Sequence, residues 1–356
     1  EISTRDWSSD VCSSDLGTCG CDDPLAAWVH MPSQLGGRAP ACLLCHLDQA
    51  LVMTRVVGLG IAVKDLVFEV DQLPREPQKV TARRMRVQHG GIAATAAASV
   101  ACLGGQSEYW GRGGDDADGR ELVAAMQALG VHTEVREVSG GRTPVASIWV
   151  DPQGERMLAA VAGELDPDPS WLPLERLDET HCVLVDFRWV EGATLVLNSA
   201  QQRNLPRVLD ADAGSTEALQ TLLPLADHVI FSERGLRSWR PESDLRAALL
   251  ACASANPGVV AVTLGERGSW FMAQGELHTI PPYPVQPVDT NGAGDVFHGA
   301  YALALAQGAD WDQAARYGSA AAAVKCQMGS GWSSLPKHEQ VMAMMKGNSN
   351  ANIASW

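Results

Sequence analysis

The string Val288-Asp-Thr-Asn-Gly-Ala-Gly-Asp-Val-Phe-His-Gly-Ala300 sets a glycine-rich turn ahead of an apolar stretch, read as a helix over Tyr301–Gln307. Such a turn leaves the first backbone N–H groups without intrahelical partners. With the helix dipole, they stabilise an anion such as a transferring phosphoryl group. Gly292 and Gly294 permit close backbone approach, Ala293 adds almost no bulk, and Asp295 falls in the first helical turn. A carboxylate there can take the proton of an attacking hydroxyl as the phosphorus–oxygen bond forms. The plain alternative is an ordinary acidic residue of the kind that helix N-termini favour. Neither a Gly-Lys-Ser/Thr phosphate loop nor a His-Arg-Asp motif competes for the phosphate role.

The elements that must position this turn begin at residue 55. Val56–Val63 reads as a short buried strand, followed by β-like runs at Leu66–Val70 and Lys79–Val87 around the Pro74/Pro77 turn. An Ala-rich helix over Gly91–Leu103 follows Gly90, and Ser107–Trp110 reads as a strand ahead of Gly111-Arg-Gly-Gly-Asp-Asp116. A helix spans Glu121–Leu129, and residues 144–161 read as a hairpin turning at Asp151–Gly154. Beyond it, strands at Cys182–Asp186, Arg207–Asp210, His228–Phe231 and Val259–Leu264 alternate with helical stretches such as Glu242–Ala255. That alternation predicts an α/β fold, a mostly parallel sheet covered by helices on both faces. The hairpin does not fit the series and is expected to form a separate small sheet. Sites in such folds gather at the carboxyl ends of the strands.

Composition limits the partners. The chain has 356 residues, 46% hydrophobic and 19% charged, a globular balance. A net charge of −15 argues against nucleic acid, whose phosphates need clustered Lys and Arg. No apolar run reaches the roughly 18 residues of a membrane span.

Five of the nine cysteines and seven acidic residues fall within residues 1–52, a leader without lysine or sustained periodicity. Residues 6–16 resemble a translated sequencing-adapter oligonucleotide. The leader is therefore read as non-native and disordered, with the native start at Met53. Cys42-Leu-Leu-Cys45-His46 has the spacing for c-type haem attachment, and Cys19, Cys21, Cys42 and Cys45 could offer thiolates to zinc. Fortuitous cysteines are the preferred reading, since no export signal precedes them and a cytoplasmic setting is expected.

The Val288–Ala300 string is similar to the C-terminal signature of the PfkB/ribokinase family of carbohydrate kinases, and the resemblance extends over residues 53–346, leaving 347–356 as a tail. It implies a ribokinase-like three-layer αβα sandwich with a small β-sheet lid, its strands within about 66–90 and 144–161. It implies ATP and Mg²⁺, Asp295 as catalytic base, and the amides of Gly292, Ala293 and Gly294 as the anion hole. Asp65 matches the aspartate holding sugar hydroxyls, and Gly90-Gly91 the glycine pair lying against the sugar. Thr263-Leu-Gly-Glu-Arg-Gly268 looks like the nucleotide-side loop, so Thr263, Gly265, Gly268 and Asn291 are expected at the nucleotide. The Asn-x-x-Glu magnesium motif is replaced by Ser232-Glu-Arg-Gly235, which leaves Glu233 to act through water. Ala322–Gly329 with Asp289 resembles a monovalent-cation region, potassium being the candidate.

Thr95, Asp186-Phe-Arg-Trp189, Phe231-Ser-Glu233 and Asp295–Ala300 together resemble the sulfofructose kinase branch, whose substrate carries a sulfonate and is phosphorylated on a primary hydroxyl. Lys79, at the start of a predicted lid strand, and Arg188, beyond a strand end, would clamp that anion. The alternative for both is a solvated surface cation. Ala160, where that branch has Asn, counts against it. Kinases for ribose, fructose, a keto-deoxy sugar acid or a sugar phosphate stay open, as does a non-catalytic regulator. His89 and His298 read as structural residues, and exposed lid strands suggest a lid-to-lid homodimer.

Overall fold

The computed structural model describes residues 54–241 and 244–353; the leader, with its cysteine motifs, adapter-like stretch and Met53, lies outside them. Strands β1 (Arg55–Gly60), β4 (Gln106–Gly114), β5 (His132–Val138), β8 (Cys182–Asp186), β9 (Arg207–Ala211), β10 (His228–Ser232), β11 (Val259–Thr263), β12 (Ser269–Ala273) and β13 (Glu276–Ile280) form one sheet. Their order is β13-β12-β11-β10-β9-β8-β1-β4-β5, parallel from β5 to β11 and antiparallel at β12 and β13.

The side chains explain the layering. Along β8, Cys182 and Leu184 bury into one core while Val183 and Val185 bury into another; Ile230 of β10 and Ala261 of β11 likewise face away from their neighbours. Apolar residues at successive positions thus cover both faces of the sheet, as a doubly covered parallel strand requires. The first core takes in helices Ile92–Cys102, Ala293–Ala306 and Trp311–Met328; the second takes in Val190–Gln202 and Leu245–Ala255. Gly299 lets the Ala293–Ala306 helix press against the Ile92–Cys102 helix, since a Cβ there would strike Ala96 O. The expected three-layer αβα sandwich is what the chain adopts.

A second sheet holds β2 (Val63–Glu69), β3 (Arg84–Gly90), β6 (Val145–Val150) and β7 (Arg156–Val161) in the order β3-β2-β6-β7. The outer pairs are antiparallel and the central β2–β6 pair is parallel.

Several boundaries differ from expectation. The strand expected over Lys79–Val87 begins only at Arg84, because β2 ends at Glu69, the partner of Arg84, and nothing is left for residues before it to pair with. Lys79 therefore lies on an irregular exposed segment, not on a lid strand. The Gly111–Gly114 stretch, beyond the strand expected over Ser107–Trp110, is the end of β4 and pairs with β5, an edge strand whose half-polar sequence hid it. The helix expected from Glu121 starts at Ala117, where the Asp116 carboxylate accepts from Gly119 N. The helix expected over Tyr301–Gln307 already begins at Ala293, with Asp295 in its first turn as expected.

The chain reverses direction across the sheet at β1. It runs to β4 and β5 on one side, then returns to β8 and beyond on the other. Asp186, fully buried at the end of β8, fastens this switch point: it accepts from Ile61 N (2.8 Å), Ala93 N (3.2 Å) and Arg188 N (2.8 Å). Burial pushes its carboxyl up to about 6 against the pull of those three N–H groups. The site should lie just above this point.

Candidate active site

The glycine-rich turn is fastened from behind. Val288 N and Asp289 N donate to Cys326 O at 2.7 and 3.2 Å, and Asn291 N donates to Asp289 Oδ1 at 2.8 Å. Gly292 is the helix N-cap with φ 75°, a left-handed conformation that glycine adopts without strain. The N–H groups of Gly292 and Gly294 have no hydrogen-bond partner among the described residues, while Ala293 N makes a long 3.3 Å bond to Thr290 O. Gly294 is exposed, with open space where a Cβ would stand. An anion can reach these donors.

Asp295 sits on this first turn among other carboxylates. Burial raises its carboxyl well above the usual range, and the charges of Asp210, Asp212 and Asp65 add to the rise, while His298 works in the opposite direction. Asp210 and Asp212 come from the carboxyl end of β9 and the residue just past it, and Ser232 Oγ donates to Asp212 Oδ1 at 2.6 Å. A carboxyl held in this way is deprotonated only at higher pH than a solvated aspartate.

Asp65 approaches from the second sheet. It is 8% exposed, and its carboxylate has no hydrogen-bond partner among the described residues. Burial pushes it up to about 7. Its neighbour is Gly90, where a Cβ would run into the Asp65 carboxylate; Gly91, with φ 100°, caps the Ile92–Cys102 helix. A buried carboxylate without donors is costly unless a ligand supplies them. In the unliganded fold Asp65 keeps its proton up to about pH 7, whereas in the unfolded chain it loses it near 3.8. The native state thus binds more protons in that window, so this residue's contribution to stability falls as pH rises through it. Asp65→Asn should raise unliganded stability at pH 7.5 by on the order of 1–3 kcal/mol and flatten that decline, while abolishing sugar use. Calorimetry decides; a lower melting temperature in the variant would contradict it.

Thr95 is buried, and its hydroxyl accepts from Trp332 Nε1 at 3.0 Å, with its methyl beside Gly292. Arg188, just beyond β8, is exposed; its guanidinium lies 4.6 Å from the Phe187 ring and donates to Ala213 O. Lys79 has no hydrogen bond or ion pair among the described residues. The two expected anion-binding cations therefore sit on separate exposed segments. Arg156, from β7, reaches Asn291 Oδ1 at 2.8 Å and ties the second sheet to the glycine turn.

The expected nucleotide residues cluster at the end of β11. Thr263 Oγ1 donates to Phe231 O at 3.3 Å, and Gly265 and Gly268, with φ 60° and 81°, flank a short turn closed by Leu264 N on Gly268 O. Asn291 belongs to the glycine turn instead. Glu233 pairs with Arg237 through one oxygen and Arg267 through the other. Each oxygen thus has an arginine partner, with a lone pair left for the water through which the magnesium role is expected. Lys325, buried at the end of its helix, donates to Gly329 O at 2.6 Å and feels the charge of Asp289. An ammonium thus already stands in the region expected to hold a monovalent cation.

Asp210, Asp212 and Arg156 had no expected place at the site, Asp186 was expected only as part of the Asp186–Trp189 motif, and His298 was expected as a structural residue. The carboxyl-end rule for β9 would have pointed to Leu209-Asp210-Ala-Asp212.

Comparison with known proteins settles the family. The sequence model of pfkB family carbohydrate kinase matches residues 53–338. The chain belongs to the pfkB family of carbohydrate kinases. It is 29% identical to a ribokinase of Bacillus subtilis over 78% of this chain and 94% of that protein. A fructokinase of Vibrio alginolyticus is 27% identical over 62% of this chain and 78% of that protein. The solved structure of Arabidopsis thaliana ribokinase, complexed with ribose and ATP, superposes with a TM-score of 0.71 at 27% identity, covering 83% of this chain and 99% of that one. The protein is an ATP-dependent carbohydrate kinase with the ribokinase fold. Among the described residues, no helix is long and apolar enough to cross a membrane.

Proposed function

We propose that this pfkB kinase phosphorylates a primary hydroxyl of an anionic sugar, 6-deoxy-6-sulfofructose at carbon 1 being the first candidate. One observation carries the site reading: the unpartnered Asp65 and the base candidate Asp295 converge beside an open helix N-terminus. Asp65 and the Gly90–Gly91 edge hold sugar hydroxyls. Asp295 takes the proton of the acceptor hydroxyl, the oxygen bonds to the γ-phosphorus, and the bond to ADP breaks. The Gly292 and Gly294 amides, with Ala293 once its long bond yields, stabilise the transferring group's charge. The Thr263–Gly268 turn and Asn291 face the nucleotide.

Arg188 and Lys79 supply the anion selectivity, Lys79 by folding its irregular segment over the sugar. Thr95 shapes the floor through its bond to Trp332. Magnesium would be carried by the nucleotide phosphates and would neutralise their charge; Glu233, held by two arginines, would reach it only through water. Asp289 remains the candidate for potassium only if the ion can share the charge of Lys325. Residues 53–346 act as one kinase domain, and its last helix, His338–Ile353, runs on into the segment expected as a tail. Two copies join through their lid sheets, where Leu158 and Val161 stand 59% and 67% exposed.

A second reading, a ribose or fructose kinase, has support in the relatives named ribokinase and fructokinase and in Ala160 on β7. ADP release with sulfofructose, fructose, ribose and fructose 6-phosphate separates the two. On the first reading, sulfofructose gives the highest kcat/KM, and Arg188→Ala lowers it at least ~10-fold while fructose changes little, the loss expected of a charge-assisted contact. Equal losses on both sugars would remove the clamp, and preferred turnover of ribose would establish the second reading.

A further inference from the structure

His298 lies three residues after Asp295 on the same helix and is 2% exposed. Its Nδ1 stands 2.8 Å from Gly294 O and 2.9 Å from Asp210 Oδ2, and its Nε2 stands 3.2 Å from Ile230 O. A neutral imidazole carries one N–H and would aim the other nitrogen's lone pair at an oxygen. Only the imidazolium donates on both sides. A neutral ring donating from Nε2 to Ile230 O would need a protonated Asp210 to donate to Nδ1, and would still set the Nδ1 lone pair against Gly294 O at 2.8 Å.

We propose that His298 and Asp210 form a buried ion pair one helical turn from Asp295, in which the imidazolium offsets part of the negative charge that the neighbouring carboxylates place on the base. The proposal rests on Asp295 being the base. The charged groups facing Asp295 are Asp65 from β2, Asp210 and Asp212 from the end of β9, Lys325 from the Trp311–Met328 helix, and His298 on its own helix. The aspartates hold the proton on Asp295, and the two cations draw it off. Burial alone would neutralise His298; the Asp210 charge and the carbonyl acceptors outweigh it and carry the ring up to about 9. The ring therefore stays positive across neutral pH. Asp210 by itself opposes the base, and His298 offsets part of that opposition. A packing residue would leave the base's titration alone, whereas this pair sets it.

The decisive measurement is kcat against pH, at saturating ATP and the best acceptor sugar, for wild type, His298→Asn and the Asp210→Asn/His298→Asn double variant. In His298→Asn the acid limb moves to higher pH by about one unit or more, which is about a 10-fold loss on that limb, with recovery toward wild type in alkali. In the double variant, where both charges are gone, the limb returns to its original position or below it. A loss in His298→Asn that is equal at all pH values, or an unmoved limb, overturns the proposal. If His298→Asn does not fold, nitrogen-15 spectra of the wild-type ring, assigned through its contacts with Phe297 and Ile230, decide instead. Two protonated ring nitrogens at pH 7.5 support the pair, and a neutral ring overturns it. Turnover surviving in Asp295→Asn would sink the base assignment, whereas the ring spectrum would stand apart from that result.

Discussion

Asp295→Asn is expected to lower kcat at least ~100-fold, the usual scale for loss of a general base. The amide keeps the volume and the place on the first helical turn but cannot accept the acceptor hydroxyl's proton. It also removes one charge from a cluster where Asp210, Asp212 and Asp65 already repel it, so the variant should be at least as stable as the wild type. That separates lost chemistry from lost fold. The KM values for ATP and sugar should change little, since the carboxylate acts on a proton and not on the bulk of either substrate. In the wild type, kcat should fall as pH drops through the raised pKa of this carboxyl, because the protonated form is inactive. ADP release with melting curves in parallel tests both points. Near-normal turnover in Asp295→Asn would remove its role as base.

Gly90→Ala is the second large effect. The added methyl would overlap the Asp65 carboxylate, a side-chain end that can rotate away, so the sheet survives and the carboxylate does not stay put. Gly90 pairs with Val63 in ordinary strand geometry, and alanine strains no backbone there. A displacement of about 1 Å at a positioning group can cost roughly 100-fold. The expected outcome is a 10- to 100-fold drop in kcat/KM for the sugar, with the KM for ATP within about 2-fold of wild type. Unchanged sugar kinetics in a folded variant would mean that Asp65 does not orient the acceptor.

Much of the site was legible because it is local. Gly292, Ala293, Gly294 and Asp295 occupy consecutive positions, and a glycine turn opening a helix has one physical outcome whatever surrounds it. Apolar runs such as Cys182–Asp186 and Val259–Thr263 likewise declared buried parallel strands, and these gave the sandwich. Lys79 shows the limit: whether a β-like run becomes a strand depends on where its partner ends, and β2 ends at Glu69. The edge strand β5 was hidden for a related reason, since its sequence alternates only weakly.

The sequence by itself determined the fold class and the glycine turn that opens the helix carrying the proposed base, because backbone conformation and short-range spacing decide those. Only the tertiary structure decided which distant charges meet at that base. Asp210 of β9 joins His298 of a helix far along the chain, Asp65 arrives from the second sheet, and Glu233 is taken by two arginines. Coulomb interactions and desolvation depend on distances in space, and those exist only once the strands are ordered around the switch point at Asp186.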